Sequence, residues 1–251
     1  MRALATAAAL IALAVTPARA EEGTVTYDVD GAAYEGFMVE AQGEGSRGLV
    51  VIIHDWDGLT EYERTRARML SRMGYDAFAV DLYGKGNRPD TTEAKKAEVG
   101  KLYDDREAMR ARFMGGMAQA RASLGDADAV VMGYCFGGAA TLEVARSGQA
   151  EGVAGFATFH GGLSTPEGQD YEAVDAPLMI LHGAADASIG MDQVADLTDR
   201  LEAAGKDFEI EIYSGAPHAW TVFGSPRYRG GADRKSWRAF TDFLEETLDG
   251  A

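Results

Sequence analysis

Long apolar runs are almost absent from this sequence of 251 residues, and the only extended one lies near its beginning, at residues 4–15. That run is too short to cross a bilayer comfortably, which argues against a membrane anchor. Arg2 precedes it, and a small-x-small cleavage pattern that ends at Ala20 follows it. These features predict a secretory signal peptide over residues 1–20, cleaved after Ala20, and an exported protein, periplasmic or secreted, that begins at Glu21.

Cysteine is nearly as scarce, since Cys135 is the only one in the chain. A single thiol cannot form a disulfide within the chain, although exported proteins often stabilise their folds with paired cysteines. A lone thiol in an exported protein indicates either pairing between molecules or chemical reactivity. The alternative interpretation is a buried cysteine that packs as a small apolar side chain. The residues around Cys135 decide between these interpretations.

Positive charge is also in the minority, with 24 lysines and arginines against 40 aspartates and glutamates and a formal net charge of -16. Such a charge repels nucleic acid phosphates and anionic lipid surfaces, so we expect neither a nucleic acid nor a membrane partner. The sequence contains no internal repeat, low-complexity tract or inter-domain linker. With 46% apolar residues, the chain after the signal peptide is predicted to form one α/β domain, residues 21–251, with a full core.

Strand and helix patterns alternate from residue 49 onward. Before that point, residues 24–29 and 34–39 alternate in polarity around Asp30-Gly31 and predict an antiparallel hairpin. Continuous apolar runs predict buried parallel strands, and capped periodic segments predict helices. The predicted strands are residues 49–54, 77–81, 129–134, 153–159, 178–181 and 208–213, and the predicted helices are residues 60–74, 92–99, 105–124, 136–146, 191–204 and 232–248. This alternation is typical of a doubly wound, mostly parallel sheet.

The run Gly133–Gly138, which reads Gly-Tyr-Cys-Phe-Gly-Gly, lies where a predicted strand passes into a predicted helix. In that context the pattern predicts a nucleophile elbow, a sharp turn that holds one reactive side chain at its apex. Glycines permit the turn where a Cβ atom would clash. The elbow therefore favours a reactive role for Cys135 and indicates an acyl-transfer hydrolase with a cysteine nucleophile.

Two further residues at predicted strand ends complete a candidate catalytic set. Active sites of open α/β sheets collect at the carboxyl ends of strands, and Cys135, Asp186 and His218 each follow a strand in the α/β-hydrolase order of nucleophile, acid and histidine. We predict that His218 takes the thiol proton, while Asp186 orients the imidazole and stabilises its charged form. Alternatively, Asp186 caps the helix that begins near Met191. Structural or loop roles are expected for the other histidines, His54, His160 and His182.

An oxyanion hole needs two backbone N–H groups directed at the developing negative charge. In this type of site, one comes from the residue after the nucleophile, here Phe136. The other comes from the loop after an early strand, here residues 54–59, and Trp56 is the predicted donor.

These motifs together resemble the dienelactone hydrolase family of α/β-hydrolases. The resemblance rests on the elbow and on residues 55–59 (Asp-Trp-Asp-Gly-Leu), 81–84 (Asp-Leu-Tyr-Gly), 182–186 (His-Gly-Ala-Ala-Asp) and 217–220 (Pro-His-Ala-Trp). It implies an α/β-hydrolase fold with a triad of Cys135, Asp186 and His218. It also implies a small-molecule substrate, cleavage of an ester, lactone or related acyl bond, and no metal or organic cofactor.

Several positions depart from the family pattern. Family members commonly carry a glutamate that holds the resting thiol, and this chain has the shorter Asp55 there, which either modulates the thiol or bonds only its own loop. Dienelactone enzymes use an arginine four residues after the catalytic histidine to bind the substrate carboxylate, and that position is Val222 here. Arg106 and Arg110 are candidates for a second carboxylate-binding arginine. Solvated surface positions are expected for Arg227, Arg229 and Arg234. We therefore expect no specialisation for dienelactone itself.

Four hypotheses for function remain in competition. The leading one is hydrolysis of a small ester, lactone or thioester through a Cys-His-Asp triad and a covalent acyl-enzyme. A broad carboxylesterase is a close alternative. A non-catalytic small-molecule binding protein on the same fold is another, although a binder has no need of three catalytic groups in order. A redox thiol protein is disfavoured because the chain has no second cysteine to resolve an oxidised thiol.

Overall fold

The structure, a computed structural model, describes residues 20–249, so residues 1–19 of the predicted signal peptide lie outside the described residues. Within the described part, no helix combines the length and the apolar character needed to cross a bilayer. The first elements are β1 (Glu22–Val29) and β2 (Ala32–Val39), which form the expected antiparallel hairpin. Asp30 and Gly31 form its turn with left-handed backbone, as an Asp-Gly pair predicts.

An eight-stranded sheet forms the centre of the protein. After the hairpin, its strands are β3 (Leu49–Ile53), β4 (Asp76–Val80), β5 (Ala129–Tyr134), β6 (Val153–Phe159), β7 (Leu178–Gly183) and β8 (Phe208–Tyr213). The spatial order is β1-β2-β4-β3-β5-β6-β7-β8. β2 runs antiparallel to both of its neighbours, whereas the six strands β3 to β8 are all parallel to one another. The predicted mostly parallel sheet with an N-terminal hairpin is thus confirmed.

Helices cover both faces of this sheet. They are α1 (Glu61–Ser71), α2 (Thr92–Asp104), α3 (Arg106–Leu124), α4 (Phe136–Ser147), α5 (Met191–Ala203) and α6 (Gly230–Leu244), which continues into a π-helical turn (Glu245–Asp249). Buried apolar residues of α2 to α5 join one core cluster, and those of α1 and α6 join a second. The predicted helices are all present, although α2 continues to Asp104 rather than ending near Val99. The sheet is therefore doubly wound.

The central strand β3 shows why a continuous apolar run forms a strand here. Leu49, Val51 and Ile53 belong to the cluster packed under α2 to α5, whereas Val50 and Ile52 belong to the cluster under α1 and α6. Successive side chains of a strand point to opposite faces, so a strand covered on both faces needs apolar residues at every position. The loops at the carboxyl ends of these parallel strands carry the candidate site.

Candidate active site

The elbow between β5 and α4 holds Cys135 on a strained turn. Cys135 has φ 52° and ψ -109°, a backbone conformation that residues with a side chain rarely adopt. Two glycines leave room for it: a Cβ atom on Gly133 would lie 2.1 Å from the carbonyl oxygen of Gly137, and one on Gly137 would lie 2.3 Å from that of Ile53. The thiol therefore stands at the N-terminus of α4, at the apex of the turn.

The structure brings the three predicted catalytic side chains into contact. His218 Nε2 lies 2.9 Å from Cys135 Sγ, and His218 Nδ1 lies 2.7 Å from Asp186 Oδ2. The Asp186 side chain is fully buried, whereas that of His218 is 14% exposed. In this arrangement an imidazole can accept a proton from a nucleophile while a carboxylate stabilises the imidazolium.

Asp186 is fixed by the turn that follows β7. Its Oδ1 accepts hydrogen bonds from the N–H groups of Ser188, at 2.8 Å, and Ile189, at 3.0 Å, which leaves Oδ2 for His218. Burial alone would raise the pKa of Asp186, but the hydrogen bonds from His218 and Ile189 lower it below its usual value. Asp186 does not cap α5, because the N-cap residue of that helix is Gly190. The carboxylate is therefore ionised and directed at the imidazole.

A second carboxylate, Asp55, lies beside the thiol. Both groups line the same cavity and each affects the pKa of the other, and Asp55 Oδ1 accepts a 2.5 Å hydrogen bond from the N–H of Trp56. Burial, with the nearby charge of Asp57, raises the pKa of Asp55 to about 6 against the opposing effects of Trp56 and Cys135. The aspartate side chain, although shorter than glutamate, thus lies close enough to raise the pKa of the thiol.

Two buried side chains hold the backbone of the Asp55 loop. His54 Nδ1 lies 2.6 Å from the carbonyl oxygen of Asp55, while its Nε2 accepts a hydrogen bond from the N–H of Leu82 at 3.1 Å. Glu63 Oε1 accepts the N–H of Asp55 at 3.2 Å, and burial raises the pKa of Glu63 to about 7. His54 is structural, as expected. Glu63 was missed by sequence reasoning, because it stands three residues after Thr60 and so fits a helix-capping box at the start of α1.

The environment of the thiol keeps it neutral at rest. Burial, followed by the charge of Asp55, raises the pKa of Cys135 well above its ordinary value, while a hydrogen bond from the N–H of Phe136 acts in the opposite direction. Phe136 is the first residue of α4, so its N–H is among the groups at that helix N-terminus that have no acceptor within the helix. The N–H of Trp56 is occupied by Asp55, so it becomes available to an oxyanion only when that contact opens.

The two remaining histidines, His160 and His182, take no part in the contact between Cys135 and His218. His160 Nε2 is 2.8 Å from Thr221 Oγ1, and the His160 ring packs edge-on against that of His218, with centroids 5.3 Å apart. Neither ring nitrogen of His182 has a hydrogen-bond partner among the described residues. Burial lowers the pKa of both His160 and His182. Of the four histidines, which all lie within residues 20–249, only His218 contacts Cys135 Sγ.

A cavity of about 380 Å³ opens over the thiol. Its apolar and aromatic wall is formed by Trp56, Val99, Tyr103, Phe136 and Ile189. Two cations, Lys96 and Arg227, also line it, and neither has an ion-pair partner among the described residues. Sequence reasoning missed Lys96 and expected Arg227 only at the solvated surface. Arg227 is exposed, but it also lines the cavity, because the loop after β8 turns back over Cys135.

The other arginines singled out in the sequence do not line this cavity. Arg106 Nη1 lies 3.1 Å from Glu143 Oε2, and Arg110 Nη1 lies 2.5 Å from Glu143 Oε1. Glu143 is buried, so these cations neutralise a carboxylate that would otherwise be costly to remove from water. Arg229 and Arg234 are exposed, as expected. The candidate cations of the cavity are therefore Lys96 and Arg227 rather than Arg106 and Arg110.

Known proteins resemble this chain over most of its length. A model of the dienelactone hydrolase family matches residues 35–248. A curated relative from Bradyrhizobium sp, named "Probable 2-oxo-3-(5-oxofuran-2-ylidene)propanoate lactonase", is 26% identical over 219 residues, which cover 82% of this chain and 86% of the relative. The solved structure of m3DLH matches with a TM-score of 0.84 at 27% identity and covers 91% of this chain and 99% of its own.

A second solved structure agrees with the first. It is a dienelactone hydrolase-like promiscuous phosphotriesterase from metagenomic libraries, with a TM-score of 0.82 at 25% identity, and the match covers 92% of this chain and 99% of that protein. The expected fold is confirmed by these likenesses together with the sheet order described above. The chain belongs to the dienelactone hydrolase family and is a hydrolase with the α/β-hydrolase fold.

Proposed function

We propose that the protein hydrolyses small esters, lactones or thioesters through a covalent acyl-enzyme on Cys135. The observation that carries the proposal is the continuous set of contacts from Cys135 Sγ to His218 Nε2, at 2.9 Å, and from His218 Nδ1 to Asp186 Oδ2, at 2.7 Å. These distances allow proton transfer from thiol to imidazole without rearrangement.

The acylation half-reaction begins when His218 accepts the thiol proton and the sulfur attacks the substrate carbonyl carbon. The carbonyl oxygen becomes an oxyanion, which accepts hydrogen bonds from the N–H groups of Phe136 and Trp56. When the tetrahedral intermediate collapses, the bond to the leaving alcohol or thiol breaks, and His218 returns the proton to that group. The product of this half-reaction is a thioester on Cys135.

Deacylation repeats the same steps with water. His218 removes a proton from a water molecule, whose oxygen attacks the thioester carbonyl carbon. The intermediate then releases the carboxylic acid and regenerates the thiol, with Asp186 stabilising the imidazolium in both halves. A lactone follows the same course, except that the leaving alcohol stays attached to the acyl chain until deacylation.

In this scheme Asp55 holds the resting site in an inactive arrangement. Its carboxyl group raises the pKa of the thiol and accepts a hydrogen bond from the N–H of Trp56. A substrate carbonyl that enters the oxyanion position takes over the N–H of Trp56, which loosens Asp55 from the loop and from Cys135. A neutral thiol resists oxidation better than a thiolate, so this arrangement protects the nucleophile until substrate arrives.

The substrates proposed to fit best carry a negative charge. Lys96 and Arg227 are the cations of the cavity, and neither is neutralised by a carboxylate among residues 20–249. They lie on a protein of net charge -16, so an anionic substrate would be drawn to this cavity rather than to the surrounding surface. Because Val222 does not supply the arginine of the dienelactone enzymes, the proposed class is acidic esters and lactones rather than dienelactone in particular.

A screen of p-nitrophenyl esters, lactones and thioesters tests the proposed reaction. We expect turnover by the parent protein and, in Cys135→Ala, a loss of kcat/KM on the order of a thousandfold or more. Cys135→Ser is expected to retain weak activity, because an alkoxide is harder to generate than a thiolate. A folded Cys135→Ala protein with most of the parental activity would refute the nucleophile. Binding of these compounds without turnover by the parent would favour the non-catalytic alternative.

Matched esters with and without a free carboxylate test the proposed substrate class. Lys96→Met and Arg227→Met should raise KM for the anionic ester and leave kinetics with the neutral ester unchanged. Lys235→Met serves as the control, since Lys235 is an exposed cation of α6 that does not line the cavity. Equal effects of Lys96→Met and Arg227→Met on both esters would instead favour the broad carboxylesterase.

We also propose that the protein is exported and cleaved after Ala20. The backbone N–H of Glu21 lies 3.0 Å from Glu40 Oε2, so the ammonium group created by cleavage would have a carboxylate partner. N-terminal sequencing of the protein from its native host should begin at Glu21. A soluble protein that retains Met1 would contradict the proposal.

A further inference from the structure

Arg66, on α1, is a fully buried arginine that the proposed triad does not use. Its Nη2 forms an ion pair with Asp233 of α6 and donates a 3.0 Å hydrogen bond to the carbonyl oxygen of Thr221. Its Nε donates to the hydroxyl oxygen of Tyr62 at 3.3 Å. A buried charge is costly unless its contacts are well formed, so these partners are held together around the guanidinium.

Four aromatic rings enclose the same guanidinium. Its Cζ atom lies within 6 Å of the ring centroids, at 4.4 Å from Phe223, 4.8 Å from Trp237, 5.3 Å from Tyr62 and 5.8 Å from Tyr134. Cation–π attraction acts at these distances. The rings belong to α1, β5, α6 and the loop between β8 and α6. Arg66 therefore joins four parts of the fold at one point.

Two of those parts carry the proposed nucleophile and base. Tyr134 is the residue directly before Cys135, and Thr221 follows His218 in the loop between β8 and α6. The Thr221 hydroxyl lies 2.8 Å from His160 Nε2, and the His160 ring packs edge-on against the His218 ring. The contacts of Arg66 thus lie between the segment that carries the thiol and the segment that carries the imidazole.

Both segments contain strained backbone, at the reactive residue itself in one and directly after it in the other. Cys135 has φ 52°, and Ala219, which follows His218, has φ 62°. A residue other than glycine keeps such a conformation only where its surroundings fix it from several directions. For the Ala219 segment, these include the hydrogen bond from Arg66 to Thr221 and the 2.9 Å hydrogen bond from the N–H of Arg229 to the carbonyl oxygen of Trp220.

We propose that Arg66 is a positioning residue that fixes the His218 loop at the distance from Cys135 that proton transfer requires. The inference rests on the proposed cysteine hydrolase function. Arg66 contacts neither the thiol nor the imidazole, so it acts through Thr221 and Asp233. Lysine cannot substitute for it, because one ammonium group cannot pair with Asp233, reach the Thr221 carbonyl and stack on the rings at once.

The test measures kcat and KM for a p-nitrophenyl ester in Arg66→Lys and in the double variant Arg66→Met/Asp233→Asn. The second substitution of the double variant removes the carboxylate that would otherwise lose its partner. Arg68→Met is the matched control, because Arg68 lies on the same helix and pairs with Glu22 and Glu61 at the surface. Each protein is assayed at a temperature where near-ultraviolet circular dichroism shows it fully folded. We expect kcat to fall on the order of 10- to 100-fold in both Arg66 variants, with KM within about twofold, and no change in the control.

Alkylation of Cys135 by iodoacetamide supplies a readout that a purely structural role would not move. We expect the pH profile of alkylation in the Arg66 variants to shift to higher pH, because His218 no longer lies where it can accept the thiol proton. Parental kcat and an unchanged profile in folded Arg66→Lys would overturn the inference, even if the double variant fails to fold. If Cys135→Ala were inactive in that case, the proposed function would stand and only the role of Arg66 would be withdrawn.

Discussion

Asp186 and Asp55 are buried aspartates at the carboxyl ends of two strands of one sheet. Asp186 pairs with His218 at 2.7 Å, and Asp55 lies near enough to Cys135 to raise the pKa of its thiol. Their pKa values move in opposite directions, since that of Asp186 is lowered and that of Asp55 is raised to about 6. Burial acts on both in the same sense. The difference has two sources: Asp55 is more completely enclosed than Asp186, and the hydrogen bonds and charges around the two carboxylates differ.

The donors and charges around the two carboxylates account for the part of the pKa difference that burial does not. Asp186 accepts hydrogen bonds from His218, Ser188 and Ile189, so its negative charge is compensated. Asp55 lies near the charge of Asp57, which adds to the effect of burial, and the lowering effects of Trp56 and Cys135 compensate this only in part. Asp186 is thus suited to stabilise an imidazolium, and Asp55 is suited to hold a thiol neutral.

Replacing Asp186 should lower activity more than replacing Asp55, because Asp186 supports His218, the proposed base. Asp186→Asn is expected to lower kcat on the order of a thousandfold or more, since an amide neither stabilises the imidazolium nor fixes the correct tautomer. Steady-state kinetics of Asp186→Asn beside Asp192→Asn, an exposed aspartate of α5, would check this. Near-parental activity of Asp186→Asn would remove the distinction between the two carboxylates.

The stability of the two asparagine variants should depend on pH with opposite slopes. The raised pKa of Asp55 means that its contribution to stability is present below its unfolded pKa and is lost as the pH rises through about 6. The pKa of Asp55 is about two pH units higher in the folded protein, which corresponds to a free energy of about 3 kcal/mol. Asp55→Asn should therefore be more stable than the parent by at most that amount at pH 8, and by little at pH 4.

Asp186 should behave in the contrary sense. Its lowered pKa means that its contribution is present above its unfolded pKa and is lost as the pH falls through the folded value. Asp186→Asn should therefore cost more stability at pH 8 than in acid. Urea denaturation of the parent, Asp55→Asn and Asp186→Asn at several pH values would measure how each stability difference from the parent changes with pH. If both differences changed with pH in the same direction, the two carboxylates would not have opposite pKa shifts.

The reactivity of the thiol offers a smaller and more local test. Asp55→Asn removes the negative charge that, after burial, contributes most to raising the pKa of Cys135. The iodoacetamide reaction should then reach its half-maximal rate at a pH lower by about one unit, in line with the effect of one nearby like charge. Identical pH profiles in folded parent and Asp55→Asn would leave Asp55 as a residue that bonds only its own loop.

Much of the fold was predictable because its determinants are local in the sequence. The elbow is a run of six residues whose glycines are required by the turn itself, as the 2.1 Å approach at Gly133 shows. The buried strands are continuous apolar runs such as β3. The contacts of Asp186 and His218 with their neighbours were foreseeable from their order along the chain and their positions after strands.

The parts that escaped prediction depend on how distant loops meet. Lys96 of α2 and Arg227 of the loop after β8 line one cavity, and no spacing between them signals it. Glu63 reads as a capping residue in sequence, and only the fold directs its second oxygen to the N–H of Asp55. Arg66 reads as one more charge on a helix, although it is fully buried.

Mass spectrometry of an acyl-enzyme is the most direct test of covalent catalysis by Cys135. The parent protein would be mixed with excess p-nitrophenyl acetate, quenched in acid within the first turnovers, and measured intact and after digestion. Because Cys135 is the only cysteine, a thioester can form at one position alone. We expect the mass of one acetyl group on the peptide that contains Cys135, and none in Cys135→Ala. Turnover of the ester by the parent with no adduct on that peptide, or equal turnover by Cys135→Ala, would contradict covalent catalysis by Cys135.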